Sequence, residues 1–356
     1  MSPSLADDKP IRTAPRPDCA LCGSAGESIY LAQSDRLFGT SGSWNLKRCT
    51  NRGCRLIWLD PMPLEEDLGK AYGNYYTHAQ PTDSVPQEPG RVGVARRIYR
   101  QLRQGYLAER YGYEVRGRRP AARSLGKLLY LFPLRRSGVD LEVRFLHAVP
   151  RGKLLDVGCG SGVWLMAMRE LGWGIEGVDF DSRAVQAATE RGLAVRCGSL
   201  EQQSFPDGTF DAVTMSHVIE HLPDPIRSLK ECARILKPGG KLVLWTPNTS
   251  SLGHRVLKQH WRGLEPPRHL YLFSPPSMRS VMERGGFNRI SIRTRNSRYI
   301  WQQGVLLWTR RLGMHPILGV KLATALAPSM LAWLEAVLLV AFEDTGEWLD
   351  VQASRG

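Results

Sequence analysis

Acidic residues are scarce in this sequence: 34 Asp and Glu stand against 48 Lys and Arg, a net charge of +14 over 356 residues. An excess of that size points to anionic partners, namely nucleic acid, an anionic membrane surface or a phosphorylated substrate. Cysteines number seven, an odd count that argues against a disulfide framework and suits reduced thiols with a metal site. No apolar run reaches the roughly 20 uninterrupted residues of a membrane-spanning helix. No apolar stretch opens the chain either. Residues 1–18, with Pro3, Pro10, Pro15 and Pro17, therefore read as a flexible tail on a cytoplasmic protein. Internal repeats are absent. What is present in quantity is apolar material: a hydrophobic share of 42% supplies a sizeable core and excludes a disordered chain.

The pattern divides the chain into blocks. After the tail comes a cysteine-bearing module at 19–78, then an Arg-rich helical insert at 79–149. Residues 150–300 alternate apolar strands with helices, 301–343 form an apolar helical insertion, and 344–356 a final strand. Within the third block, strands are expected at Lys153–Val157, Gly174–Val178, Phe210–Met215, Lys241–Thr246 and Phe287–Thr294. Helices are expected at Val163–Leu171, from a Ser182 cap to Arg191, at Pro225–Leu236, and after Ser274-Pro275-Pro276. Alternation at this spacing predicts a parallel sheet with helices on both faces, and ligands at the carboxyl ends of its strands.

The first of those carboxyl ends carries Asp156-Val157-Gly158-Cys159-Gly160-Ser161-Gly162. Glycine permits a tight turn and a close backbone approach, and the helix behind offers free N–H groups. Asp179 closes the next strand, where a carboxylate accepts hydrogen bonds from both ribose hydroxyls. The spacing G-x-G-x-G departs from the dinucleotide pattern G-x-G-x-x-G, since residue 163 is Val.

Four ordered segments carry a resemblance. Leu154–Gly162 resembles motif I of the class I S-adenosylmethionine-dependent methyltransferases, and Gly177-Val178-Asp179 resembles the acidic end of their second strand. Phe205–Asp211 is similar to the lead into their fourth strand, and Arg234–Gly240 to the helix end before their fifth. The resemblance implies an α/β, Rossmann-like, seven-stranded and mostly parallel sheet whose last strand is antiparallel, with Trp348–Ala353 as that late strand. It implies S-adenosyl-L-methionine as cofactor, held by Asp156, Gly158, Gly160, Gly162 and Asp179. Ser199 and Leu200 follow the third strand, where the family touches adenine; the family's common Asp is replaced here by Gly198-Ser199-Leu200-Glu201.

Methyl transfer needs an aligned acceptor and often a base. The fourth strand delivers Ser216-His217-Val218-Ile219-Glu220-His221, and HVIEHLPDP resembles the matching segment of many small-molecule methyltransferases. His221, Glu220 and His217 are the candidate catalytic residues, with His221 the preferred base. The alternative reading has His217 packed under the cofactor and the other two capping a turn. A polar–aromatic loop, His260-Trp261 and Glu265–Tyr271, either lines the acceptor pocket or packs as a loop.

Cys19-x-x-Cys22 and Cys49-x4-Cys54 form two close pairs able to place four thiolates around Zn²⁺. Cys159, Cys197 and Cys232 read as small core residues. The paired arrangement, with Asp60-Pro61-Met62-Pro63 and the aromatic run Tyr72–Tyr76, resembles the zinc-binding module that precedes sugar methyltransferase domains. That implies a structural zinc and a tyrosine near the acceptor.

Between Arg91 and Arg136 stand 12 Arg and one Lys against two Glu, so +11 of the +14 is concentrated there. Interleaved aromatics and Leu128–Leu134 suit anionic phospholipid, a pyrophosphate-linked substrate or RNA, or else a solvated helical face. Ile317–Phe342 reads as a pair of core or dimer helices, or as shallow attachment at the inner membrane. The expected function is methyl transfer to a small-molecule, glycan or lipid-linked acceptor, in line with a resemblance to bacterial cell-surface polysaccharide enzymes. An RNA methyltransferase and a non-catalytic zinc-containing binding protein are the alternatives.

Overall fold

The computed structural model describes residues 10–73, 94–113, 125–149, 152–297, 301–302, 330–331, 335 and 342–356. The chain divides into two compact units, one of residues 1–76, 215–233 and 244–356, the other of residues 77–214 and 234–243.

The N-terminal residues build two small sheets. Strands β1 (Thr13–Ala14) and β5 (Met62–Pro63) pair with each other. Strands β2 (Gly26–Gln33), β3 (Trp44–Cys49) and β4 (Ile57–Leu59) form an antiparallel sheet whose fourth member, β11 (Tyr271–Leu272), comes from far along the chain. Ile57, Trp58 and Leu59 are all buried, as a strand covered on both faces requires.

A seven-stranded sheet follows the order β12-β13-β10-β9-β6-β7-β8. Its members are β6 (Lys153–Val157), β7 (Gly174–Asp179), β8 (Val195–Cys197), β9 (Phe210–Ser216), β10 (Leu236–Pro247), β12 (Arg289–Arg295) and β13 (Trp348–Ser354). Strands β6, β7 and β8 are parallel, with Leu155 opposite Glu176 and Asp179 opposite Cys197. Strand β13 runs antiparallel to β12 and lies between β12 and β10, so the last strand in the chain is interior to the sheet. The expected seven-stranded, mostly parallel α/β sheet with an antiparallel late strand is thus borne out. Helices Val163–Glu170, Ser182–Glu190 and Pro225–Ile235 occupy the crossovers. Leu154, Leu155, Leu165, Met168 and Val178 are buried, each worth about 1.5–3 kcal/mol relative to exposure.

Several local expectations are corrected. The helix from Ser182 is capped by Asp181, whose carboxylate accepts from Arg183 N at 3.1 Å, not by Ser182. Strand β10 begins at Leu236, directly after the helix, rather than at Lys241. Pro238 disfavours helical backbone at Lys237 and Gly239 takes φ +74°, which together stop the helix without a separate loop. The cap at Ser274 is as expected, and its capping partner is Ser277. Of the three remaining cysteines only Cys232 is buried. Cys159 is half-buried and Cys197 is exposed, because it ends the outermost strand.

In the Arg-rich block, Val94–Tyr111 and Pro133–Glu142 are α-helices, and a short 3-10 helix, Lys127–Leu131, precedes the second. Residues 114–124 lie outside the described residues, as does almost all of the apolar stretch 317–342, including its reading as core, dimer or membrane helices. Among the described residues no helix is long and apolar enough to cross a membrane.

Candidate functional site

The glycine turn after β6 is built on left-handed backbone. Gly160 takes φ +54° and Gly162 φ +75°, conformations that cost little only without a Cβ. A Cβ on Gly162 would stand 2.2 Å from Leu193 Cδ1, whereas one on Gly160 would meet nothing within 4 Å. The turn is therefore closed on its inner side and open at its crest. Gly158 N donates to Val178 O at 2.7 Å, tying the turn to β7.

Asp179 ends β7 at 6% exposure. Its Oδ2 accepts from Gly160 N at 2.7 Å and its Oδ1 from Asp181 N at 3.0 Å. Each oxygen keeps a further lone pair, enough for the two hydroxyls of a ribose. Burial pushes the Asp179 carboxyl upward, against the pull of those two amides. Ser199 accepts at the head of the 3-10 turn Leu200–Gln203 and forms a capping box with Gln202, while Leu200 is buried. A nucleoside-bearing cofactor fits these residues: an open glycine crest and a buried carboxylate with spare acceptor capacity.

Asp156 is occupied in a way the sequence did not disclose. At 2% exposure its Oδ1 receives Thr214 Oγ1 at 2.6 Å and pairs with the Arg144 guanidinium. Arg144 also donates to Thr214 at 2.8 Å, lies 3.5 Å from the Trp164 ring centroid, and adopts φ +49°. Within the Arg-rich composition Arg144 reads as one more surface cation, and nothing in its spacing marks it as buried.

The other unit holds the acid–base cluster. His217 follows β9 with φ +57°, and its ring meets Trp348 at 4.4 Å between centroids. Its Nδ1 lies 3.2 Å from Glu220 Oε1. Glu220 is fully buried, and Thr246 donates to its Oε2 at 3.0 Å. Burial works to raise this carboxyl, yet the His217 hydrogen bond and the facing histidines hold it down to about 2. It is therefore a fixed negative charge.

His221 Nδ1 lies 3.0 Å from the Arg268 carbonyl oxygen and 3.0 Å from the Tyr72 hydroxyl. A carbonyl only accepts, so the first contact assigns the proton to Nδ1 and leaves the Nε2 lone pair free. His269, fully buried and driven well below the ordinary histidine range by that burial, meets the His221 ring at 4.8 Å. Glu220, His221 and His269 each bring one nitrogen or oxygen within 4.8 Å of the others.

The loop 265–271 positions this cluster. Arg268 is wholly buried, and donates to Asp35 Oδ2 at 2.8 Å, Asp35 Oδ1 at 2.9 Å and Glu265 Oε1 at 3.0 Å. Leu270 N donates to Glu220 O at 2.8 Å. The loop is thus packed, and its ordered backbone presents the carbonyl that sets the His221 tautomer. The sequence-predicted trio His217, Glu220 and His221 is brought together. Of the aromatic run expected to bring a tyrosine near the acceptor, Tyr72 is, among the described residues, the one that reaches the cluster. Thr246 was missed as a member of the cluster, and His269 was expected only as part of the polar–aromatic loop.

The four paired cysteines converge in the same unit. Sγ of Cys19 and Cys54 are 3.7 Å apart, and those of Cys22 and Cys49 are 3.3 Å apart. All four sulfurs lie within 4.8 Å of one another. A tetrahedron with Zn–S of about 2.3 Å has sulfur–sulfur edges of about 3.8 Å, so this set fits one Zn²⁺. Cys54 is hydrogen-bonded to Cys19, which lowers the Cys19 thiol to about 5. The gathered sulfurs thus favour at least one thiolate.

Residues 126–292 match a family model described as a methyltransferase domain. This segment is a methyltransferase domain. It includes the glycine turn, Asp179, and the 217–221 and 265–271 segments. Among curated relatives, a ubiquinone biosynthesis O-methyltransferase of Xanthomonas oryzae pv. oryzae (strain PXO99A) is 41% identical over 103 residues, 27% of this chain and 43% of that protein. One from Albidiferax ferrireducens is 34% identical over 116 residues, 30% of this chain and 46% of that protein. The chain spans less than half the length of the curated relatives it matches. Phosphoethanolamine N-methyltransferase 2 of Haemonchus contortus, solved with S-adenosyl-L-methionine, overlays at a TM-score of 0.42 and 19% identity, covering 62% of this chain and 52% of that one.

Proposed function

We propose that the chain transfers a methyl group from S-adenosyl-L-methionine to a small-molecule, glycan or lipid-linked acceptor. The observation that carries the reading is the methyltransferase domain's open glycine crest beside Asp179, whose buried carboxylate retains two lone pairs. Gly158, Gly160, Gly162 and Asp179 would hold the cofactor, with Ser199 and Leu200 beside the adenine. Asp156 acts through Arg144, which it anchors. When bound, S-adenosyl-L-methionine supplies an electrophilic methyl on a sulfonium centre.

On the acceptor side, His221 Nε2 takes the proton of the group to be methylated. Arg268 O keeps Nδ1 protonated, Glu220 stabilises the imidazolium that forms, and the Tyr72 hydroxyl steadies the ring. The relatives' printed names favour an oxygen acceptor. Resemblance of the cysteine module to those of sugar methyltransferases supports a glycan, and a structural Zn²⁺ on Cys19, Cys22, Cys49 and Cys54.

Calorimetry tests the core of the reading. The wild type is expected to bind S-adenosyl-L-methionine, and Asp179→Ala to weaken that binding by two orders of magnitude or more, since a buried amide pair and both ribose contacts are lost. A wild type that does not bind removes the proposal. A label-transfer screen over phenolic, sugar-nucleotide and lipid-linked acceptors, with RNA included, then identifies the acceptor class.

A further inference from the structure

The helix Val94–Tyr111 is packed at one end and bare at the other. Near its C-terminus Tyr106, Leu107 and Tyr111 are buried, and both tyrosine hydroxyls donate to Asp140 Oδ1 at 2.7 Å. Near its N-terminus Val94 is 75% and Ile98 51% exposed. The following elements carry the exposure onward: Leu131 is 72%, Phe132 54%, Leu128 44% and Tyr130 43% exposed. Ring contacts join these elements into one surface. The Arg135 guanidinium lies 5.3 Å from the Tyr99 centroid, Arg136 lies 5.4 Å from that of Tyr130, and Tyr130 meets Tyr106 at 5.5 Å.

Single exposed apolar residues are ordinary, but a cluster of large ones marks an interaction surface. Here the cluster is set among cations. Arg96, Arg97, Arg100 and Arg135 are exposed and Arg136 half-exposed. Among the described residues none of these five has a carboxylate within 4.0 Å. The guanidiniums are stacked on tyrosines or left to solvent, which keeps their charge available to an outside anion.

We propose that this surface docks on an anionic phospholipid bilayer, with Ile98, Leu128, Leu131 and Phe132 entering the headgroup–acyl boundary and the arginines meeting lipid phosphates. The combination selects the partner. RNA would use the cations and aromatic faces, but has no use for exposed Val94, Ile98, Leu128 and Leu131. A second copy of the same face would set arginines against arginines. A bilayer interface takes both parts, the apolar side chains by burial and the cations by attraction to anionic headgroups. The surface lies wholly within one compact unit and does not depend on the methyl-transfer reading.

Flotation of the full chain with phosphatidylcholine vesicles, with and without about a third phosphatidylglycerol, tests the proposal. The wild type is expected to float with the anionic vesicles and to remain behind with the neutral ones. Exposed Leu131→Ser with Phe132→Ser should lower the partition coefficient roughly 10-fold or more, from the lost burial of two large side chains. Arg96→Glu with Arg97→Glu, both on the bare end of the helix, should lower it roughly 20-fold or more and weaken its salt dependence. Unchanged circular dichroism would show that the variants fold. A wild type that stays unbound with anionic vesicles overturns the docking surface. So do variants that float like wild type, RNA binding unaffected by Leu131→Ser in the absence of flotation, or a dimer that Leu131→Ser dissociates.

Discussion

His221 illustrates how a single side chain is prepared by its neighbours. The Arg268 carbonyl assigns its tautomer, Glu220 lends a fixed charge, and the Tyr72 hydroxyl lies 3.0 Å from its Nδ1. His221→Ala should lower kcat by about 10²–10⁴ while leaving S-adenosyl-L-methionine affinity unchanged, measured by steady-state transfer and calorimetry. Tyr72→Phe removes one hydroxyl that orients the ring without supplying the base, so a smaller loss in kcat, about 10-fold, is expected. Equal losses in both variants would indicate that the tyrosine itself handles the proton. The histidines and Glu220 could be read from the sequence because they fall on one short segment after a strand. Arg144 and His269 could not, since their roles depend on what they are buried against.

At the scale of elements, backbone conformation and metal ligation decide what substitutions cost. Gly162 has φ +75° and its missing Cβ would fall 2.2 Å from Leu193. Gly162→Ala combines a left-handed penalty with an overlap, and should destabilise by about 1–3 kcal/mol in chemical denaturation. The cysteine module should yield about one zinc per chain by elemental analysis. Chelation is expected to lower the thermal midpoint, because the four sulfurs then lose the ion that offsets their crowding. A metal-free chain with an unaltered midpoint would remove the four-thiolate assignment. The pairing of β4 with β11 shows why the module could not be delimited from sequence: its sheet is completed by Tyr271 and Leu272, some 200 residues on.

For the whole molecule, the buried carboxyl pair Glu335 and Glu347 predicts a pH dependence. Burial pushes Glu347 up to about 7 and, with the charge of Glu347, Glu335 up to about 9. Glu347 Oε2 accepts from Trp261 Nε1 and Glu335 Oε2 from Trp301 Nε1. A carboxyl raised in the fold stabilises most fully below its unfolded value of about 4.5. That contribution is lost as pH rises through the folded values. The thermal midpoint should therefore fall by several degrees between pH 5 and pH 9, and Glu335→Gln should flatten the decline. A midpoint that rises over that range would contradict the buried pair.

The sequence by itself determined the sheet type, the glycine turn, Asp179 at the end of the second strand, the late antiparallel strand and the two cysteine pairs. The late strand followed from the family resemblance; the others are written in local periodicity or in residue spacing, which neighbouring chain atoms enforce directly. Tertiary structure alone decided that Asp156 faces Arg144, that Asp35 and Glu265 hold Arg268 so that its carbonyl meets His221, and that Cys197 is exposed while Cys232 is buried. Those outcomes depend on how separate elements pack against one another, where burial fixes which polar groups must be paired.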